Sequence, residues 1–242
     1  MPLVVACLCS VAVPIRAQQP DGPPQPRAVT RTLYSSNTEL FAEWRPLVVG
    51  EATRLTAHLT RIGDRFRPYT EGKVTLTLTV EGVTANAVAD GPEPPGVFRL
   101  NVTPTKAGAG RIVIDVAAAT GPGHFVIDDV PVHVDVKPAL AKEAPAETGL
   151  ISYAKERSWE EDFATARVTT YFRGAGQIVV VPAAAIVQDG ETTHVYVQRT
   201  PERFELRDVK TRRTIGDVIE ITSGLRDGER IVVRGADKMP RK

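Results

Sequence analysis

Histidines and carboxylates at close spacing are the first places to look for chemistry, and this chain has four histidines: His58, His124, His133 and His194. His124 and His133 stand near Asp128, Asp129 and Asp135, and imidazole with carboxylate can hold zinc or a similar divalent ion. The valines Val130, Val132, Val134 and Val136 argue the other way. In a strand they take the dry face, which leaves His133 and Asp135 on the wet one. A lone histidine there is ordinarily a solvated side chain, so no metal ligand is assigned. Soft-metal capture by methionine clusters is excluded, because Met1 and Met239 are the only two.

Acid–base, nucleophilic and phosphate chemistry find no frame either. The sequence has no nucleophile elbow, no pair of histidines at helical spacing and no Gly-rich loop between a strand and a helix. Gly108-Ala109-Gly110 and Gly174-Ala175-Gly176 read as turns rather than phosphate cradles. Glu160, Glu161 and Asp162 are contiguous, as expected for the solvated face of a short amphipathic helix. The basic runs Lys210 to Arg213 and Lys238 to Lys242 have no interleaved aromatic residue on which a base could stack. The expectation is therefore no catalytic residue, no cofactor and no metal site.

The elements that carry these residues are β-strands. Hydrophobic residues make up 42% of 242, and 19 Gly with 19 Pro punctuate short apolar runs. Lys plus Arg (30) nearly cancel Asp plus Glu (29), so no net field draws in nucleic acid. Strict alternation marks Val74, Leu76, Leu78 and Val80, and returns in Leu55 to Leu59, Phe98 to Val102, Ile112 to Val116 and Val130 to Val136. Turn clusters separate them, which predicts an immunoglobulin-like β-sandwich over 30–137. Residues 138–164 read as a linker and a short helix, with Trp159 and Phe163 at i, i+4 spacing for docking on a domain edge. From 165 to 242 the pattern is β again, a second and smaller domain. No internal repeat is present.

Residues 1–17 form an apolar run too short to span a bilayer, and are expected to be a signal peptide cleaved after Ala17. Residues 18–29, rich in Pro and Gln, are expected to be a flexible lead. Cys7 and Cys9, the only cysteines, lie within the apolar run. Cleavage after Ala17 would leave a mature chain without thiols, hence without a disulfide or a thiolate metal site. Val4-Val5-Ala6-Cys7 loosely resembles a lipoprotein box, but has too little apolar sequence before it.

The most specific stretch is VVVPAAAIVQDGETTHVYVQ followed by FELRDVKTRRTIGDVIEITSGLRDGERIVVRGA. It closely resembles the membrane-proximal domain of periplasmic adaptor subunits of RND efflux pumps, the membrane fusion proteins. TELFAEWRPLVVGEATRLTAHLTRIGDRFRPYTEGKVTLTL and PGVFRLNVTPTKAG resemble the extra front domain of the heavy-metal type, and ISYAKERSWEEDFATARV resembles the lead into the adaptor's middle. The family carries a lipoyl-type domain, a helical hairpin and most of a β-barrel where this chain has only TTYFRGAGQI. The resemblance therefore implies a periplasmic adaptor docking on an inner-membrane RND transporter, with self-association around the pump, while the missing hairpin makes contact with the outer-membrane channel doubtful. The loops after Val187 and around Arg226 are the expected contact surface, since loops on a rigid β scaffold carry recognition. The second reading is a free-standing periplasmic divalent-metal-binding or delivery module using His124 and His133.

Overall fold

The computed structural model describes residues 27–119, 121–137, 148–173 and 176–241. The expected signal peptide, the two cysteines and Gly174-Ala175 lie outside these residues. The chain is mainly β, in several sheets, with one short α-helix among the described residues.

Alternation in the sequence becomes one dry and one wetter face in β6 (Lys73–Val80), where Val74, Leu76, Leu78 and Val80 are buried and the threonines between them are half-buried. Beside β6 lie β7 (Val83–Ala89) and β9 (Gly108–Ala117), then β10 (Gly123–His133) and, parallel to it, β3 (Leu47–Val48). The facing sheet is built from β1 (Val29–Tyr34), β2 (Thr38–Trp44) and β4 (Thr53–Arg61), with β8 (Val97–Val102) along the first half of β4 and β5 (Arg67–Pro68) along its end. One apolar core fills the space between the sheets, with Leu40, Trp44, Leu55, Leu76, Phe98 and Ile114 among its members. Each large apolar side chain buried there contributes roughly 1.5–3 kcal/mol.

The even run of valines in β10 does not survive intact. A bulge between Ile127 and Val130, with Asp129 at φ 55°, shifts the phase by one residue. Phe125 and Ile127 before it, and Val130 and Val132 after it, therefore all face the core while Asp128 and Asp129 stay exposed. The strand predicted to reach Val136 ends at His133, and Val134 is 75% exposed. The reason is pairing: Val132 is the last β10 residue opposite β9, and His133 the last opposite β3. Beyond them no strand among the described residues offers ladder bonds to hold valine on the dry face.

After the segment outside the described residues come β11 (Ile151–Ser152), α1 (Lys155–Glu160), β12 (Ala164–Arg167), β13 (Thr170–Arg173) and β14 (Gly176–Pro182). Then follow β15 (Val187–Asp189), β16 (Thr192–Thr200), β17 (Arg203–Asp208), β18 (Lys210–Ile215), β19 (Val218–Ser223) and β20 (Arg230–Arg234). One sheet runs β11-β17-β16-β20-β12 with β15 beside β16, and the other runs β13-β14-β19-β18. Val195 and Val197 of β16 point into an apolar cluster with Val181, Val209 and Ile221, between the two sheets. Tyr196, between those valines, points the opposite way and is also fully buried. It joins Phe163, Phe204 and Trp159, together with Phe66 and Val97 from the N-terminal half. The sheet around β16 is thus buried on both faces, and its second face is the joint to the rest of the molecule.

Candidate docking surface and the joint behind it

The joint is built on the outer face of the sheet that holds β2 and β4. Glu39, Phe41, His58 and Thr60 point out of that face and are nevertheless buried. They are covered by α1 and the chain around it. Trp159 donates its indole N–H to Thr60 Oγ1 at 2.9 Å. Lys155 Nζ donates to Glu39 Oε1, with both side chains fully buried, and lies 4.5 Å from the Phe66 ring centroid. Tyr34 OH donates to the other Glu39 oxygen at 2.9 Å. Burial pulls the Lys155 ammonium below its ordinary pKa, and the Glu39 carboxylate opposes that pull. Burial and the same carboxylate push the Tyr34 phenol well up. His58 sits between Glu43 Oε1 at 3.6 Å and Glu156 Oε1 at 3.4 Å, with neither ring nitrogen hydrogen-bonded, and holds the Glu43 carboxyl below the usual range.

The helix itself depends on this joint. Its N-cap, Ala154, offers no side-chain acceptor, and the Lys155 backbone N–H is instead taken by Glu202 Oε1 at 2.9 Å, from the turn between β16 and β17. Trp159 also needs Gly96, whose φ is 85° and whose Cβ, if it had one, would penetrate the Trp159 ring.

Beyond the joint, the C-terminal sheets present the loops singled out from the sequence. The turn after β15 is exposed around Gly190, and Gln188 braces it by donating to the Gly190 carbonyl at 3.0 Å and accepting from Thr193 Oγ1 at 3.1 Å. The loop around Arg226 is pinned from three sides. Arg226 N–H donates to Glu229 Oε2 at 2.9 Å, Thr170 N–H donates to Asp227 at 2.9 Å, and Arg207 donates to the Gly224 carbonyl at 3.2 Å. Gly224, at φ 104°, lies so close to Asp208 that a Cβ would collide with its carbonyl. Arg207 forks twice, onto Glu229 at 2.8 Å through both oxygens and onto Glu205 at 2.8 and 3.0 Å. Its guanidinium holds the Glu205 carboxyl below the usual range. The backbone is thus fixed while the Arg226 side chain stays exposed.

The basic run from Lys210 to Arg213 lies on β18, an edge strand exposed along its whole length. Arg212 and Arg213 reach back to Glu220, which is only 2% exposed, at 3.2 and 2.7 Å. Arg213 and then Arg212 hold that carboxyl below its ordinary pKa.

His124 and His133 are not brought together. They lie at opposite ends of β10, about 30 Å apart along the strand. His124 pairs across the strand with Asp115 at 2.6 Å, Asp128 pairs with Arg111 at 2.6 Å, and Asp135 accepts from the Lys137 N–H at 2.9 Å. Among the described residues no group of three or more His, Cys, Asp or Glu is arranged to hold a metal ion. Gly108 and Gly110 open β9, and Gly176 opens β14. Glu160 is exposed, Glu161 accepts from Tyr153 OH and Arg157 at 2.8 Å each, and Asp162 lies 3.4 Å from Arg234. His194 pairs with Asp208 at 2.8 Å. Sequence reading missed the Glu39–Lys155 pair, His58 and the Arg207 fork. The one signal near Glu39 was Phe41, an aromatic residue on the strand face that Glu39 and Glu43 would otherwise mark as wet.

Among the described residues no helix is long and apolar enough to cross a membrane. No curated protein matches the chain. Two solved structures from Cupriavidus metallidurans are similar to parts of it. The first, from strain CH34, is an NMR structure of a 180-residue piece of SilB encompassing its N-terminal metal-binding site and membrane proximal domain. It is 31% identical over 29% of this chain and 39% of that one, with a TM-score of 0.27. The second is the crystal structure of ZneB, 18% identical over 76% of this chain and 40% of that one, with a TM-score of 0.24. The chain thus spans about two fifths of the length of each. Residues 179–236 match the family of CzcB C-terminal circularly permuted SH3-like domains. The strands and pinned loops from Val179 to Ala236 therefore form a CzcB-type circularly permuted SH3-like domain, the type carried by heavy-metal efflux membrane fusion proteins.

Proposed function

We propose that this chain is a periplasmic adaptor of an RND-type heavy-metal efflux system and docks on the inner-membrane transporter. In this reading residues 30–137 are an immunoglobulin-like sandwich and residues 165–242 a membrane-proximal module. The observation that carries it is the CzcB-type domain over 179–236. The turn around Gly190 and the loop around Arg226 are the contact surface, because both combine exposed side chains with a braced backbone, which lowers the entropy lost on binding. No bond chemistry is required of such a protein. The transporter supplies the energy and the adaptor supplies a fitted surface, strengthened when several copies sit side by side.

Co-purification of the tagged full chain with a heavy-metal RND transporter from detergent-solubilised membranes tests this. Retention of the transporter, lost or weakened about tenfold by Arg226→Glu, is the expected result. No retention under any ionic condition, together with unchanged metal tolerance when the chain is deleted from its host, would refute it.

A further inference from the structure

We propose that the open edge of β12 receives an acidic, extended peptide segment as an additional strand. β12 is the last strand of its sheet, paired on one side with β20. A cavity of about 670 Å³ lies against the strand, lined by all four of its residues, Ala164 to Arg167, by Ile62 to Asp64, and by Arg230, Val233 and Arg234 of β20. A second cavity of about 500 Å³ continues past Asp162, Ala184 and Arg234. Volumes of this size suit a short chain segment rather than a single ion.

The backbone is set up for pairing. Val168 exchanges both of its bonds with the β20 side: its N–H donates to Glu229 O at 2.6 Å, and its carbonyl accepts from Gly228 N–H at 3.0 Å. Alternation along a strand then turns the backbone groups of Arg167 and Thr165 toward the open edge. The Thr165 carbonyl accepts there from the Arg230 guanidinium at 3.0 Å, a side-chain bond in the place a neighbouring strand would occupy. Of the two alanines, Ala166 is exposed and small enough to let a second backbone approach, while Ala164 is buried in the apolar joint.

The charge specifies the partner. Arg167, Arg230 and Arg234 line the cavity against Asp64 and Asp162. Arg167 and Arg230 are direct cross-strand partners, an arrangement that costs stability unless a counter-charge lies nearby. No carboxylate among the described residues pairs with Arg167. Arg230 contacts Thr165 and the Tyr34 ring, 4.4 Å from its centroid, and Arg234 reaches Asp162 only at 3.4 and 3.5 Å. An added strand with carboxylates on alternate residues would supply the missing counter-charge while its backbone completes the ladder. The other edge strand with a basic run, β18, differs in that Arg212 and Arg213 already pair with Glu220. This inference does not rest on the transporter reading.

The full chain is titrated with two labelled heptapeptides of alternating valine and charge, one with glutamates and one with lysines at the charged positions, and amide exchange is followed by NMR. The expected result is binding of the glutamate peptide alone, slowed exchange of the Arg167 amide, and affinity about tenfold weaker in Arg167→Glu. Arg167 is exposed, so the variant should keep the fold. Equal binding of both peptides, binding unchanged in Arg167→Glu, or binding without protection of the Arg167 amide would each overturn the proposal. So would binding of phosphatidylglycerol vesicles through Arg167 with no peptide binding, which would identify a membrane surface instead.

Discussion

The sheet that contains β2 and β4 is dry on its inner face and on the part of its outer face that α1 covers, by different means. On the inner face Leu40, Ala42, Trp44, Leu55, Ala57 and Leu59 meet the opposing sheet through apolar contact alone. On the outer face Glu39, Phe41, His58 and Thr60 meet Lys155, Trp159 and Phe66 through an ion pair, an indole hydrogen bond and ring contacts. Area removed from water stabilises the inner face without direction, at about 25 cal/mol per Å². The outer face has direction: a carboxylate and an ammonium that must meet, and an indole N–H that must find one hydroxyl. Desolvation offsets much of the ion pair's attraction, so its role is to fix where α1 lies more than to add net stability. The inner face is a core that similar apolar volumes could fill, whereas the outer face is a fitted joint.

The strongest way to break this distinction is Lys155→Met, which strands the Glu39 carboxylate in a dry site. A loss of about 3–5 kcal/mol is expected in urea unfolding. Adding Glu39→Leu should recover most of that loss, because two apolar groups need no mutual direction. A double variant no more stable than the single one would mean that the joint needs the pair for stability after all. Next in size is Gly96→Ala, expected to cost about 1–3 kcal/mol through the positive φ and the collision with Trp159. Its NMR signature should be a displaced Trp159 indole signal with the Trp44 signal, on the inner face, unmoved.

The smallest effect sharpens the comparison by extending it to the rim. Glu205, held low by Arg207, binds fewer protons folded than unfolded near its ordinary value of 4.5. The stability it contributes is therefore complete above that value and lost as pH falls through the folded-state pKa. Arg207→Gln should cost about 1 kcal/mol at pH 7 in urea unfolding, and the difference from wild type should shrink as pH falls below 4.5. A difference that is flat with pH would assign Arg207 a packing role instead.

Period-two patterning made several strands legible in advance. β6, β8 and β9 lie where alternating residues placed them, because each has one face in the core and one nearer water. Patterning failed where that condition fails. In TELFAEW, Leu40, Ala42 and Trp44 alternate with Glu39, Phe41 and Glu43, a pattern that marks the second face as wet although β2 is buried on both, and β16 likewise hides Tyr196 between Val195 and Val197. In β10 the bulge preserved burial by breaking the period, and lack of a pairing partner ended the strand before Val134. The candidate contact loops were legible as Gly-containing turns, although two of the bonds that pin one of them, from Thr170 and Arg207, come from residues distant in sequence.

By itself the sequence determined the mainly β composition, the phase of the one-sided strands and the CzcB-like character of the C-terminal stretch, because these depend on the order of neighbouring residues. Only the tertiary structure decided that α1 forms where it does, capped by Glu202 and anchored by Glu39 and Thr60. The same holds for β12, which lines a cavity together with Arg230 and Arg234 of its neighbour β20. A buried charge or an unpaired strand edge acquires its meaning from groups tens of residues away, and no local pattern encodes that distance.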